Sequence, residues 1–181
     1  MYGARENRAG TTVATLENVP PLVRKAHEQA DLVVLFLHWG IRYHRPPTAF
    51  QRDLARAAVK AGADLIVGHH AHFWQPVELV EGVPVVYGVG NFAFGSGNRR
   101  ADEGLLVRAT IGSGHFEQIE LFPTYIKNKD SSVSYQTKLM RGSSAKNLLA
   151  RVIKLSAELG TRVVFKRGRG VIKVPDRDRR L

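Results

Sequence analysis

Three histidines fall within four positions in Gly68-His69-His70-Ala71-His72, and a further one opens the tripeptide His38-Trp39-Gly40. Neutral imidazole is the commonest protein ligand for zinc, iron, nickel and copper-like ions, and it also exchanges protons near neutral pH. A glycine ahead of the histidines allows a bend on which the rings could converge on one cation. The bland alternative is a polar loop that happens to be rich in histidine. For His38 alone it is a side chain that caps the end of a strand. The chemical reading gains weight from where the two groups fall.

Asp31-Leu32-Val33-Val34-Leu35-Phe36-Leu37 is a short continuous apolar run, which predicts a strand buried on both faces of a sheet covered by helices, with His38 at its C-terminal end. Thr48 and Gln51 make a capping-box pair at the start of a helix carrying Phe50, Leu54, Ala57 and Ala58, and Gly62 stops it. Asp64-Leu65-Ile66-Val67 is a second buried strand that runs straight into the histidine triplet. In α/β sheets ligands gather outside the carboxyl ends of strands, so this order predicts one shared site.

The flanking segments frame that unit. Residues 1–18 have no clear period, and Pro20-Pro21 predict a helix start, with Leu22, Val23, Ala26 and Ala30 at roughly helical spacing. Beyond the histidines the pattern turns to strands at 77–80, 83–89, 104–111 and 115–121, followed by an amphipathic helix from Ala145 to Leu159. The fold class is therefore α/β. Residues 1–165 are expected to form a single domain, and residues 166–181 a basic, mobile tail.

Composition bounds the chemistry. There is no cysteine, so a thiolate metal site and disulfides are both excluded, and a metal would need imidazole, carboxylate or amide ligands. The longest purely apolar run has six residues, Leu32 to Leu37, against the roughly 20 a membrane span needs, and Met1 to Glu6 lack the apolar core of a signal peptide. Of the net charge of +11, residues 1–98 carry 9 − 8 = +1 and residues 99–181 carry 18 − 8 = +10. A basic second half attracts anions such as an acidic polymer, lipid or nucleic acid without choosing among them. No recognition motif accompanies the charge, which argues against nucleic acid.

His38-Trp39-Gly40 with Tyr43 and Pro47, Gln51, Ala61-Gly62-Ala63-Asp64, Gly68-His69-His70-Ala71-His72 and Tyr87-Gly88-Val89-Gly90-Asn91-Phe92 follow one another in the order and spacing of a known family. Over about residues 13–125 the chain resembles the C-terminal part of the bacterial CapA-type, poly-γ-glutamate capsule synthesis domain, a relative of the calcineurin-like metallophosphoesterases. The resemblance implies part of a sandwich of paired sheets flanked by helices, with a metal pair at the strand ends. It implies a divalent ion, manganese, iron or zinc, as cofactor, held by His38, His70 and His72. The two-apart spacing of the latter pair can point both rings one way on an extended segment. His69 would then be the catalytic proton donor or a further ligand, and Arg42, Tyr43 and Asn91 would meet substrate, although Asn91 also reads as a plain turn asparagine. Trp39 and Trp74 would wall the pocket.

Two departures from the family pattern stand out. No Gly-Asp or Asn-Asn-His segment is present, and Thr15-Leu16-Glu17-Asn18 is only faintly like the family's Asn-Leu-Glu. Arg42 stands where an acidic residue is common before Tyr43. The resemblance implies a metal-dependent hydrolase of phosphate-containing substrates in capsule or envelope polymer synthesis, partnered by an anionic polymer or a polymer-synthase complex; members of the family are often associated with the cell envelope, and the sequence leaves this chain's location open. The alternative is a non-catalytic basic module that holds an acidic polymer. Fold membership alone does not fix the substrate.

Overall fold

Pro20 and Pro21 occupy the first turn of helix α1 (Val19–His27), where the missing proline N–H has no intrahelical partner to lose. The computed structural model describes residues 3–4, 6–94, 101–131 and 133–176. After strand β1 (Val34–His38) comes helix α2 (Ala49–Lys60), which opens on the expected capping box. Gln51 N–H donates to the Thr48 hydroxyl at 3.2 Å, and the Thr48 N–H donates to the Gln51 side-chain oxygen at 2.9 Å. Such a cap contributes about 1 kcal/mol. Gly62, at φ +110°, turns the chain out of this helix.

Strands β2 (Leu65–His69), β3 (Val77–Val80) and β4 (Val83–Val86) complete a first sheet in the order β1-β2-β4-β3, with β1, β2 and β4 parallel and β3 antiparallel to β4. A second, antiparallel sheet is built from β5 (Glu103–Gly112), β6 (His115–Tyr125), the short β7 (Lys138–Leu139), β8 (Val164–Lys166) and β9 (Arg169–Lys173). Its order is β5-β6-β9-β8, with β7 beside β6, and helix α3 (Gly142–Ala157) precedes β8.

Alternation along the first sheet feeds two apolar clusters. Leu37, Ile66, Val85 and Tyr87 pack with Val19 and Val23 of α1 and Leu54, Ala55, Ala58 and Val59 of α2. Leu65, Val67, Val77 and Val86, on the other side, pack with Ile119, Leu121 and Ile172 of the second sheet and Leu148, Leu149 and Val152 of α3. The architecture is mixed α/β with two sheets and three helices, compatible with part of a calcineurin-like sandwich.

Two expectations need correction. β1 is not buried on both faces: it is an edge strand, Val34 and Phe36 are exposed, and neither belongs to the cluster formed with the second sheet. The apolar run reflects a parallel strand whose second face those elements do not reach. The tail from residue 166 is not mobile throughout either, because Arg169–Lys173 is a central strand of the second sheet and Ile172 is fully buried. Its short apolar stretch, split by Gly170 and flanked by arginines, has too few alternations to show a period. Residues 177–181 lie outside the described residues.

Candidate functional site

β1 and β2 run in parallel with His38 directly opposite His69, so both strands release their histidines at one sheet end. Gly68 makes the close approach possible: a Cβ there would overlap the Tyr87 carbonyl and the Trp39 indole nitrogen. The space is used by a hydrogen bond in which Trp39 Nε1–H donates to the Tyr87 carbonyl at 2.9 Å. Trp39 is thereby buried beneath the site and stacked on Tyr87 at 5.8 Å.

Beyond β2 the chain bends through two left-handed residues, His70 at φ +88° and His72 at φ +57°. Non-glycine residues in this region cost on the order of 1 kcal/mol or more, and such strain clusters at functional sites. The bend turns His70 back towards β1, so that its Nδ1 lies 2.8 Å from Nε2 of His38, with ring centroids 4.6 Å apart. One of these two nitrogens holds the shared proton and the other accepts it.

His72 is held differently. Its Nδ1 lies 2.7 Å from Oδ1 of Asn91, and because an amide oxygen only accepts, His72 donates through Nδ1–H, which leaves Nε2 outside this bond. Tyr43 stacks on the ring at 5.5 Å and Phe94 approaches it at 5.2 Å. Tyr43 is itself in a left-handed conformation (φ +61°), fixed by its N–H donating to the Ala71 carbonyl at 2.7 Å. The Arg42 guanidinium lies 5.9 Å from the Tyr43 ring. The amide nitrogen of Asn91 is buried and has no partner among the described residues.

His38, His70 and His72 therefore converge, with 6.5 Å between the rings of His70 and His72. His69 shares the strand end but stacks against exposed Phe36 at 6.1 Å. Burial, then the neighbouring His38, push the His69 pKa down. Burial first, then His38, His72 and Arg42, do the same to His70. Lowered values favour neutral rings, the form that offers a lone pair to a cation.

The donor set sets a limit. Among the described residues no group of three or more histidine or carboxylate side chains is placed to hold a metal ion. Tetrahedral zinc, with Zn–N distances of about 2.0–2.1 Å, would hold two nitrogens roughly 3.4 Å apart, and the His38 and His70 nitrogens at 2.8 Å are drawn closer by their hydrogen bond. These residues supply an imidazole pair with a third imidazole nearby. They do not fit a two-metal centre, which needs carboxylate charge to offset cation repulsion.

Other residues behave unlike the sequence reading. Trp74 does not wall a pocket: it is fully buried, with Arg45 4.0 Å and Arg151 5.4 Å from its ring. Glu103 links the two arginines, at 3.7 Å from Arg45 and 2.5 Å from Arg151. Gln75 carried no signal in the sequence, yet it braces the loop between β1 and α2. Gln51 Nε2–H donates to Gln75 Oε1 at 3.1 Å, and Gln75 Nε2–H donates to the His44 carbonyl at 3.0 Å. Phe94 was likewise missed; an aromatic two residues after Phe92 has no period that would mark it.

Comparison with known proteins gives the geometry a context. The family model described as Bacterial capsule synthesis protein PGA_cap matches residues 2–96. The chain is 40% identical over 119 residues to the PGA biosynthesis protein CapA of Bacillus subtilis (strain 168), covering 64% of this chain and 31% of that protein. It is 38% identical over 98 residues to the capsule biosynthesis protein CapA of Bacillus anthracis, covering 54% and 24%. It is 25% identical over 97 residues to a probable polyglutamine synthesis accessory protein of Mycobacterium tuberculosis, covering 50% and 26%. The chain thus spans about a third or less of the length of these curated relatives.

Proposed function

Because the chain belongs to the bacterial capsule synthesis protein family, we propose that it serves the assembly of an acidic capsule or envelope polymer of the poly-γ-glutamate type, as an accessory to a polymer-synthase complex. The relatives' names support that reading, and the histidine cluster gives it a chemical centre. The observation that carries it is the 2.8 Å contact between His38 and His70, made by residues 32 positions apart, with His72 clamped beside them. No helix among the described residues is long and apolar enough to cross a membrane.

The finer reading is a hydrolase of the metallophosphoesterase kind, acting on a phosphate-containing substrate. His38, His70 and His72 would contribute imidazole ligands for a divalent manganese, iron or zinc ion. Such an ion, when bound, polarises a phosphoryl oxygen and lowers the pKa of bound water. His69, with its depressed pKa, would move a proton, and Arg42, Tyr43 and the unpartnered amide nitrogen of Asn91 would meet the substrate. Because the donor set lacks carboxylates, the chain by itself is expected to hydrolyse a chromogenic phosphate ester at close to the background rate.

The functional test is a replacement. Residues 2–96 of this chain replace the matching portion of the Bacillus subtilis relative, and cells lacking that relative's own gene are scored for polymer. Polymer production by the chimera, lost with His70→Ala at normal protein levels, supports the reading. A folded chimera that makes polymer equally well with His38, His70 and His72 all replaced by alanine removes the histidine cluster from the function.

A further inference from the structure

The strand register fixes which side chains share the face of the second sheet turned away from α3. Leu106 stands opposite Phe122, Arg108 opposite Glu120, and Thr110 opposite Gln118. On β9, Val171 continues the row of Glu120 and Lys173 the row of Gln118. On β8, Lys166 lies beside Arg169 and Val164 beside Val171. The alternate residues Ile119, Leu121 and Ile172 point into the core with α3. Among the described residues the outer face therefore carries four cations, Arg108, Lys166, Arg169 and Lys173, and two carboxylates, Glu120 and Glu117, the latter lying over Gly112 of the same face, a balance of 4 − 2 = +2.

Glu120 sits beneath the cations. It is almost fully buried and pairs with Arg108 at 2.6 Å and Arg169 at 2.5 Å. Both guanidiniums also flank the Phe122 ring, at 5.0 and 5.8 Å. One carboxylate thus orients two guanidiniums and neutralises only one of them. Lys166 and Lys173 are exposed at the margins of the same face. Neighbouring strands are about 4.8 Å apart, so the cations form a grid that an extended polyanion can cross.

We propose that this outer face is a binding surface for a polycarboxylate chain. The choice of polycarboxylate rests on the capsule-family reading above; the surface itself rests on the register. Nucleic acid is disfavoured because the aromatic on this face is already covered by two guanidiniums and offers no free ring for a base to stack on. The interaction is electrostatic and weakens as salt rises.

The test is fluorescence anisotropy of labelled polyglutamate with the full chain at low and moderate salt. An oligothymidylate of matched charge and anionic phospholipid vesicles serve as the competing arms. Lys166→Glu with Lys173→Glu should weaken polyglutamate binding by about tenfold or more, and the corresponding glutamine pair by less. Lys25→Glu with Lys60→Glu, the same charge change on α1 and α2, should cost less than about twofold. Lys166→Glu with Lys173→Glu should leave zinc binding by the His38 and His70 pair unchanged, so that failure of the histidine reading and failure of this one remain distinct. No binding at low salt, equal losses for the two lysine pairs, or tighter binding of the oligonucleotide or the vesicles would each overturn the proposal.

Discussion

Oδ1 of Asn91 lies 2.7 Å from Nδ1 of His72, and this hydrogen bond fixes both the tautomer and the orientation of a ring at the centre of the site. Histidines that bind metals usually donate their second ring N–H to such a partner. Replacing Asn91 by alanine should let His72 shift towards the Nε2–H tautomer. Long-range proton–nitrogen NMR on the imidazoles should show Nε2 as the unprotonated nitrogen in the native chain and a mixture in the variant. An unchanged tautomer would assign the role to the stacking of Tyr43 and Phe94 instead. The stability cost of losing one such hydrogen bond is about 1 kcal/mol.

The lowered pKa values of His69 and His70 make stability depend on pH in a defined sense. Below the ordinary histidine value of about 6.5 the unfolded chain binds protons that the folded chain resists. Stability should therefore fall as pH drops from about 6.5 through the lower folded values, and these two groups should contribute no slope above that window. The melting temperature of the His69→Gln, His70→Gln variant, followed from pH 7.5 to 5, should decline less steeply than that of the native chain. Parallel curves would mean that the two rings are not held neutral by the fold.

Ile172 tests the correction at the C-terminal strand. It is fully buried in the cluster with Leu148, Leu149 and Ile119, opposite Ile119 in the register with β6. Substitution by alanine should cost about 2–5 kcal/mol in urea denaturation. A cost under about 0.5 kcal/mol, the range of an ordinary surface change, would return this segment to the mobile tail that its sequence suggests.

The sequence showed most clearly those features whose signals are local. The Thr48 and Gln51 capping box, the stop at Gly62 and the proline start of α1 are all formed as expected, because each depends on the chemistry of a few adjacent residues. The convergence of His38 with His70 was legible because parallel strands joined by a helix end on the same side. What stayed hidden depends on contacts between distant segments. Nothing near Val34 and Phe36 reveals that the second sheet stops short of them. The role of Gln75 arises only when the loop carbonyl of His44 arrives beside it. Glu120 reads as an ordinary alternating strand residue until Arg108 and Arg169 close over it from two other strands.

The central claim is that the imidazoles of His38 and His70, 2.8 Å apart, act as one donor set. Calorimetric titration of the purified chain with zinc tests this directly, comparing the native protein with His38→Ala, His70→Ala and the double variant. The account predicts weak binding by the native chain, a loss of at least about tenfold, or about 1.4 kcal/mol, for either single variant, and no further loss for the double variant. Native-like zinc affinity in both single variants, with all proteins folded, would contradict it.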